Sequence, residues 1–360
     1  MKLRIWFSVL GVMLLVPLGL FAKCPISPNG RLELRAPAGN LQVETTTTDS
    51  VEVEVSNRQV VVQETCEKDK VTVTGKAPTS IGLPEWKIRI PRNITIDLTT
   101  QGGNIQVPDL DGEALLRTSG GKVTTGNIKG SALILATEIR TGNIGGNAEL
   151  RGWGGRLQIG DIGGNAEFYT QGGDITAGAV KGSVKAEMGS GSFTVRESSG
   201  NVVVTTVDGD ITSQYVRGYF DGKTDSGNIQ LDKVGSWVRA ATGVGNIFLR
   251  LVPTDINGDL HVNAIASMGD ITLYVPKAMK ASFDIVVEKP ALSAKSILWD
   301  LPIKAPLAAV GNSLFPGSRD KTVPGGPERQ TFSFNNGGST GGNPIKLRAG
   351  RGTIRIMQGN

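Results

Sequence analysis

The sequence predicts an all-β fold, a single-stranded parallel β-helix (β-solenoid) with coils of about 18 residues and a β-rich amino-terminal cap. The first observation is a tandem repeat whose apolar anchor residues recur at spacings of 18 residues, with one spacing of 16. A further anchor, Ile271, follows after 24 residues. The repeated anchors are Ile105, Val123, Ile139, Leu157, Ile175, Phe193, Ile211, Ile229 and Ile247.

The second observation is the alternation inside each unit, as in Val202, Val204 and Thr206. Alternate side chains leave a strand on opposite faces, so a period of two indicates strands. A unit of this length is too short for a helical crossover between parallel strands, so tight corners must join them. Glycine at two fixed positions of the unit, such as Gly209 and Gly218, supplies those corners.

Stacking of the coils follows from the repeat, because one coil cannot bury its apolar face alone. Strand on strand at about 4.8 Å gives a continuous dry interior. The general handedness of parallel crossovers favours a right-handed solenoid. Threonines near the end of each unit should form a hydroxyl ladder, and Asn or Asp residues before the anchors should form a corner ladder. Examples are Thr118, Thr206 and Thr242 for the first ladder, and Asp174, Asp210, Asn228 and Asn246 for the second.

Residues 1–22 have the pattern of an export signal peptide. Lys2 and Arg4 precede an apolar core, and Ala22 is a small residue suited to cleavage. An uncleaved membrane anchor is the alternative, because the apolar run approaches the length of a spanning helix. Lipid attachment at Cys24 is a weaker alternative, since Lys23 stands where a small residue is expected.

Cys24 and Cys66 are the only cysteines. In an exported chain such a pair suggests one disulfide, although two unpaired thiols remain the alternative. In residues 23–100 apolar and polar side chains alternate, but the 18-residue repeat is absent. This region is expected to cap the solenoid, whose repeats occupy residues 101–288. Residues 289–330 are rich in Pro, Gly and Ala and are expected to form a loop-rich excursion, and residues 331–360 the closing coils.

The sequence resembles the bacterial putative-adhesin family catalogued as domain of unknown function 4097. The matching features are the β-rich VEVEV at 51–55, the run from Thr99 to Ile105, the repeated Gly-Asn-Ile or Gly-Asp-Ile units, and the ending NPIKLR at 343–348 with GTIRI at 352–356. The resemblance covers residues 30–360. It implies an exported β-solenoid of the cell envelope and supplies no catalytic residues.

The charge pattern argues against nucleic acid as a partner. The formal net charge is +5, and loss of Lys2 and Arg4 with the signal lowers it to +3, with both signs interspersed. Nucleic-acid binding requires a concentrated basic footprint. His261 is the only histidine and is expected at the surface, and no His/Cys cluster has metal-ligand spacing. No cofactor or metal is therefore expected.

Two pairs of acidic residues could have either a chemical or a purely structural role. Glu149 and Glu167 share one position on successive coils, where stacking would bring them to roughly 5 Å, a glycosidase-like separation. The alternative is a solvated charged face, with Arg151 and Lys185 offsetting the repulsion. Asp208 and Asp210 flank a corner glycine and fit corner residues better than calcium ligands, because calcium requires six or more oxygens.

Exposed aromatic residues are the candidate ligand-binding residues. Tyr219 and Trp237 share one position on adjacent coils and should stack outside, whereas Trp153 and Tyr169 lie near another corner. Such a platform suits sugar rings or a partner protein, although a stacked pair also protects a strand surface without any ligand.

The function expected from these observations is non-enzymatic binding. We expect an exported β-solenoid in the periplasm, at the cell surface or secreted, acting in adhesion or as an envelope scaffold. Its partner would be a surface glycan or an envelope protein, with membrane contact only through an uncleaved signal. The alternatives are a carbohydrate-active β-helix enzyme using Glu149 and Glu167, and a structural element that self-assembles end to end.

Overall fold

The computed structural model describes residues 23–78, 82–288, 297–300, 330–335 and 342–359. The proposed signal peptide lies outside these residues. In chain order the strands are Cys24–Pro25 (β1), Arg31–Ala36 (β2), Asn40–Thr46 (β3), Ser50–Val55 (β4), Val61–Cys66 (β5), Lys70–Lys76 (β6), Glu85–Pro91 (β7), Thr95–Thr100 (β8), Ile105–Val107 (β9), Ala114–Thr118 (β10), Lys122–Thr125 (β11), Ala132–Ala136 (β12), Glu138–Thr141 (β13), Ala148–Gly152 (β14), Leu157–Ile159 (β15), Ala166–Thr170 (β16), Ile175–Val180 (β17), Val184–Met188 (β18), Phe193–Ser198 (β19), Val202–Asp208 (β20), Ile211–Val216 (β21), Phe220–Ser226 (β22), Ile229–Val234 (β23), Val238–Val244 (β24), Ile247–Leu251 (β25), Val262–Met268 (β26), Ile271–Pro276 (β27), Ala281–Val287 (β28), Ile297–Asp300 (β29), Gln330–Asn335 (β30), Asn343–Arg351 (β31) and Ile354–Gly359 (β32).

These strands form two long sheets, and each repeated coil contributes one strand to each. The sheet that carries the anchor residues, called here the anchor sheet, has the order β1-β4-β7-β3-β9-β11-β13-β15-β17-β19-β21-β23-β25-β27-β32-β29. The companion sheet has the order β30-β28-β31-β26-β24-β22-β20-β18-β16-β14-β12-β10-β8-β2-β6-β5. All strands between β9 and β27 pair in parallel with their neighbours in the stack, from Leu41↔Ile105 to Ile271↔Ile354.

The register agrees with the repeat. Ile175 is the Cα partner of Phe193, which in turn is the partner of Ile211. The predicted parallel stack of strands, and with it the β-solenoid, is therefore confirmed.

The interior is filled by apolar side chains that form one continuous cluster along the stack. The largest interior residues have smaller residues beside them in the next coil, as close packing requires. Phe168 lies beside Ala186 of the next coil, and Phe220 beside Val238. Gly222 makes room for Phe220, because an added Cβ would overlap its ring. The dry interior leaves the outer surface as the place where function must lie.

The coil corners explain the glycines and the polar residues of the repeat. Gly227 has a φ of +147°, a conformation that favours glycine, and an added Cβ would overlap the carbonyl oxygen of Gly209 one coil earlier. The corner ladder is confirmed. Oδ1 of Asp210 accepts a hydrogen bond from the backbone N–H of Asn228 at 2.7 Å, and Oδ1 of Asn228 accepts one from the backbone N–H of Asn246 at 2.8 Å.

The predicted stack of threonines is present, with Thr206, Thr224 and Thr242 as successive Cα partners. Among the described residues these hydroxyls do not bond to each other. Those of Thr118, Thr224 and Thr242 donate to backbone carbonyls of corner glycines in the preceding coil, whereas that of Thr170 donates to Gly172 in its own coil. Thr118 donates to Gly103 at 2.7 Å and Thr242 to Gly227 at 2.8 Å. Successive coils are about 4.8 Å apart, which is too far for one hydroxyl to reach the next.

The amino-terminal region joins the stack and then closes it. β2 and β3 continue the two sheets in parallel with β8 and β9. The strands beyond them pair antiparallel, β4 with β7 and β5 with β6. A disulfide joins Cys24 in β1 to Cys66 in β5, with Cα atoms 5.5 Å apart. Since β1 and β5 are the terminal strands of the two sheets, this bond links the sheets across the end of the stack.

The carboxyl-terminal end has a different order in space than in sequence. β31 lies between β26 and β28, and β32 lies between β27 and β29. Most of the excursion predicted for residues 289–330 lies outside the described residues; within it, β29 pairs in parallel with β32. Among the residues that the structure describes, none belongs to a helix long and apolar enough to span a membrane.

Candidate functional site

One corner of the solenoid carries a column of outward residues that immediately precede the companion-sheet strands. We call it the outer column. Its members from successive coils are Ser131, Asn147, Asn165, Ser183, Asn201, Tyr219, Trp237 and His261.

In the first part of the outer column, each side chain satisfies the backbone of the next coil. Oδ1 of Asn147 accepts the N–H of Asn165 at 2.9 Å, and Oγ of Ser183 accepts the N–H of Asn201 at 3.1 Å. The last such bond runs from the N–H of Tyr219 to Asn201 Oδ1 at 3.2 Å. Short side chains with an oxygen near the backbone are therefore what the fold requires here.

The column then becomes aromatic. The rings of Tyr219 and Trp237 are stacked with centroids 4.1 Å apart and planes 10° from parallel. His261 stacks on the other face of Trp237, at 5.1 Å and 10°. We call these three residues the aromatic column. Among the described residues their rings accept no hydrogen bond from a backbone N–H of the next coil, so the ladder of the preceding coils ends where they begin.

His261 is positioned by an acidic residue two positions earlier. Its Nδ1 lies 2.7 Å from Oδ1 of Asp259, and its backbone N–H donates to the same oxygen at 3.2 Å. Burial opposes ionisation of Asp259, but these hydrogen bonds and the charge of His261 outweigh it and lower the pKa of Asp259. The imidazole is therefore oriented, with 37% of its side-chain surface exposed.

A six-residue enlargement of one coil produces this arrangement. Ile247 and Ile271 are Cα partners although 24 residues separate them, and the six added residues lie within the segment 253–260 before His261. Oγ of Ser236 donates to the carbonyl of Asp259 at 3.1 Å. Asn343 holds the segment from the other side, donating to the carbonyl of Gly258 at 3.3 Å. These hydrogen bonds hold the enlarged coil in place at one end of the aromatic column.

Charged and polar groups flank the rings on the companion sheet. Arg239 forms a two-pronged ion pair with Asp221 in the adjacent strand, with Nε 2.7 Å from Oδ1. Asn263 is the next residue in this row. Aromatic rings, a guanidinium and an amide therefore share one outer surface.

The stacking determines which parts of the rings a partner could reach. Trp237 has Tyr219 on one face and His261 on the other, so its indole presents its edge. A sugar ring that stacks on an aromatic residue needs a free ring face. The column instead offers ring edges and polar tips, namely a phenol, an indole N–H and an imidazole nitrogen.

The other two predicted ligand-binding residues lie elsewhere. Tyr169 belongs to β16, three companion strands before β22, and its ring lies beneath Arg151 at 4.7 Å and Lys185 at 5.5 Å. Trp153 is 45% exposed. Within the described part of the chain, neither residue makes a ring contact with another aromatic side chain. The four predicted residues therefore do not form one site.

The candidate catalytic carboxylates occupy the predicted register. Glu149 and Glu167 are Cα partners, and Lys185 follows Glu167. Arg151 lies 2.8 Å from Glu149, and the hydroxyl of Tyr169 donates to Glu167 at 3.1 Å. Each carboxylate thus has a local partner on an exposed face.

The corner aspartates act as structural acceptors. Oδ1 of Asp210 accepts hydrogen bonds from both the backbone and the side-chain amide of Asn228, and Asp208 pairs through its backbone with Ser190 and Ser226. Among the described residues, no group of three or more His, Cys, Asp or Glu could hold a metal ion.

The sequence prediction missed His261 and Asp259 as parts of the aromatic surface. The enlarged coil shifts His261 away from the position that its neighbours occupy in an 18-residue count. One signal was available: His261 immediately precedes Val262, just as Tyr219 precedes Phe220 and Trp237 precedes Val238.

Comparisons with known proteins agree with the resemblance seen in the sequence. No curated protein matches the chain. Among solved structures it is similar to a putative cell adhesion protein from Clostridium sporogenes ATCC 15579, with 11% identity over 94% of this chain and 98% of that one and a TM-score of 0.19. It is also similar to a putative adhesin from Bacteroides fragilis NCTC 9343, with 13% identity over 71% of this chain and 96% of that one and a TM-score of 0.21.

The family model described as Toastrack DUF4097 matches residues 30–274, which is more than half of the chain. The protein therefore belongs to the Toastrack DUF4097 family.

Proposed function

We propose that this protein is an exported, non-enzymatic binding module that holds a partner in the cell envelope through its aromatic column. One observation carries the proposal. In the outer column, Asn201 is followed by Tyr219, Trp237 and His261, whose rings do not make the side-chain bond to the backbone of the next coil that the Asn and Ser residues of the earlier coils make. Rings at these positions give up ladder hydrogen bonds, so a role other than folding accounts for them.

The chemistry of the surface favours a protein partner over a sugar. Trp, Tyr and Arg are the residue types that dominate binding energy in protein interfaces, and Tyr219, Trp237 and Arg239 lie together here. Both faces of Trp237 are covered by Tyr219 and His261, which removes the surface that a sugar stacked on the indole would use. An envelope protein that accepts the ring edges and satisfies their polar tips fits this geometry, and a surface glycan is the alternative.

An extracytoplasmic location is part of the proposal. The bond between Cys24 and Cys66 supports it, because disulfides persist in oxidising compartments. The export pattern of residues 1–22 points the same way.

The experiment is a comparison of two tryptophans. The chain from residue 23 onward is immobilised and exposed to envelope protein extracts and, separately, to a glycan array. We expect retention of an envelope protein that weakens at least tenfold in Trp237→Ala, as expected for an interface hot spot. Trp153→Ala is the control, because Trp153 is an accessible tryptophan that lies outside the column. Equal retention by both variants would remove the aromatic column as the site, and retention on the glycan array alone would favour the sugar.

A further inference from the structure

The last two strands of the chain occupy a slot that earlier strands enclose. In the companion sheet, Ile345 of β31 is the Cα partner of Val262 in β26 on one side and of Phe283 in β28 on the other. In the anchor sheet, Ile354 of β32 lies between Ile271 and Ile297 in the same way. β28 and β29 precede β31 and β32 in sequence but lie farther along the stack.

The slot holds β31 and β32 by backbone pairing along both strand edges and by burial of their inward side chains. β31 and β32 each form a parallel backbone ladder with a strand on either side. The inward side chains of Ile345, Leu347, Ile354 and Ile356 are completely buried. At the corner, Asp270 accepts the N–H of Thr353 at 2.7 Å and an N–H of Arg355 at 2.8 Å. This is the double-edged form of strand addition to a sheet.

The occupant is held to the other strands of the stack through a long connection. We call β30, β31 and β32 the terminal unit; β30 pairs antiparallel with β28 on the side away from β31. The terminal unit therefore pairs with both edges of β28. Residues 301–329 connect it to β29, and 29 residues can span up to about 100 Å.

We propose that the slot also accepts the terminal unit of a second copy of this chain, so that two molecules exchange terminal units and form a dimer. The exchanged and unexchanged forms make the same ladders, the same buried contacts and the same bonds to Asp270. Only the connection distinguishes them, which is the usual basis of domain swapping. A connection of this length corresponds to an effective concentration on the order of 1 mM, so exchange becomes comparable with self-occupancy when the chain approaches that local concentration.

This exchange differs from the end-to-end assembly considered from the sequence. End-to-end assembly would need exposed strand edges at the ends of the stack, whereas exchange needs only the slot that the structure already contains. Crowding of the protein on one surface would favour it, because only local concentration separates the two forms.

The test uses full-length chains that each carry one new cysteine. Ile265 in β26 and Arg348 in β31 are Cα partners on the outer face, and such neighbours lie within the range that a disulfide bridges. Chains with Ile265→Cys are mixed with chains carrying Arg348→Cys, opened briefly in mild urea, returned to buffer and oxidised. We expect a covalent heterodimer at about 1 mM chain, at least tenfold above a control pair of Ile265→Cys and Lys185→Cys, with a yield that falls on dilution. Lys185 is exposed in the middle of the stack.

A single chain carrying both Ile265→Cys and Arg348→Cys checks folding and the geometry of the slot. We expect it to form an intrachain disulfide at low concentration, and, when oxidised before mixing, to exchange no longer. Failure of the intrachain bond would overturn the described slot. An intrachain bond together with a heterodimer yield no greater than that of the control pair would overturn the exchange.

Discussion

Trp237 stacks on Tyr219 with ring centroids 4.1 Å apart and ring planes 10° from parallel. This contact follows from the coil register, because the residues after them, Phe220 and Val238, are Cα partners in adjacent strands. The spacing of neighbouring strands is close to the distance between the centres of two stacked rings. A parallel solenoid thus converts a residue type repeated at one position of the unit into a column on the surface.

The corner glycines should be the most sensitive positions of the repeat. Gly227→Ala places a Cβ against the carbonyl of Gly209 and imposes a φ of +147° on a residue that avoids it. We expect a loss of roughly 1–3 kcal/mol in unfolding free energy, measured by urea denaturation. Gly120→Ala is the matched control, because an added Cβ there meets no atom within 4 Å. Equal midpoints for the two variants would show that the corner geometry is wrong.

The bond between Cys24 and Cys66 should stabilise the amino-terminal end of the stack. It closes a loop with a sequence separation of 42 residues and links the terminal strands of both sheets. Cys66→Ser should lower the unfolding free energy by about 4 kcal/mol in the chain-entropy model. Hydrogen exchange should show the lost protection in β5 and β6 first. A change confined to the central coils would contradict this placement.

Asp97 is the centre of a charged cluster on the outer face of the companion sheet. Its carboxylate is only 6% exposed and accepts hydrogen bonds from Arg31, Arg35 and Arg117 at 2.8–2.9 Å. Burial opposes its ionisation, but the arginine hydrogen bonds and charges outweigh that effect and lower the pKa of Asp97. A lowered pKa in the folded state means that the ionised carboxylate stabilises the fold.

This stabilisation should be present above the unfolded-state pKa of about 3.9 and should disappear as the pH falls through the lower pKa of the folded state. Asp97→Asn should therefore cost roughly 2 kcal/mol at pH 7, because three arginines lose their shared partner. Below about pH 4 the difference from the wild type should shrink, as urea titrations at several pH values would reveal. Asp225→Asn, at an exposed ion pair with Lys223, should change stability by less than about 0.5 kcal/mol throughout. A pH-independent difference for Asp97→Asn would refute the electrostatic explanation.

Glu149 and Glu167 should not support catalysis. Both are exposed and partnered, Glu149 by Arg151 and Glu167 by Tyr169. A glycosidase acid needs an environment that keeps it protonated near neutral pH, which an open charged face does not supply. We expect the release of reducing ends from neutral and acidic polysaccharides to be the same for the wild type and for Glu149→Gln/Glu167→Gln. Cleavage by the wild type that the double variant loses would restore the enzyme hypothesis.

Features that recur in every repeat could be predicted from the sequence. Ile175, Phe193 and Ile211 lie in register because every coil encodes the same alternation of inward residues and corner glycines. The stack of Tyr219 on Trp237 followed from the same count.

Features that break the repeat were harder to predict. His261 joins the column through the enlarged coil, whose path no periodic pattern specifies. The position of β31 was also hidden, because β28 has the same inward alternation and either strand could follow β26. The threonine hydroxyls found carbonyl partners because coil spacing, and not residue type, decides which acceptor is near.

The measurement that tests the central claim most directly restores the ladder in place of the rings. Tyr219→Asn/Trp237→Asn gives these coils the residue that Asn147, Asn165 and Asn201 provide, and so separates folding from binding. The unfolding free energy and the affinity for the captured envelope partner are measured on the same preparation. We expect stability equal to or above that of the wild type and an affinity at least tenfold lower. Unchanged affinity, or a collapse of stability with the loss of the rings, would contradict the claim that the column exists for binding.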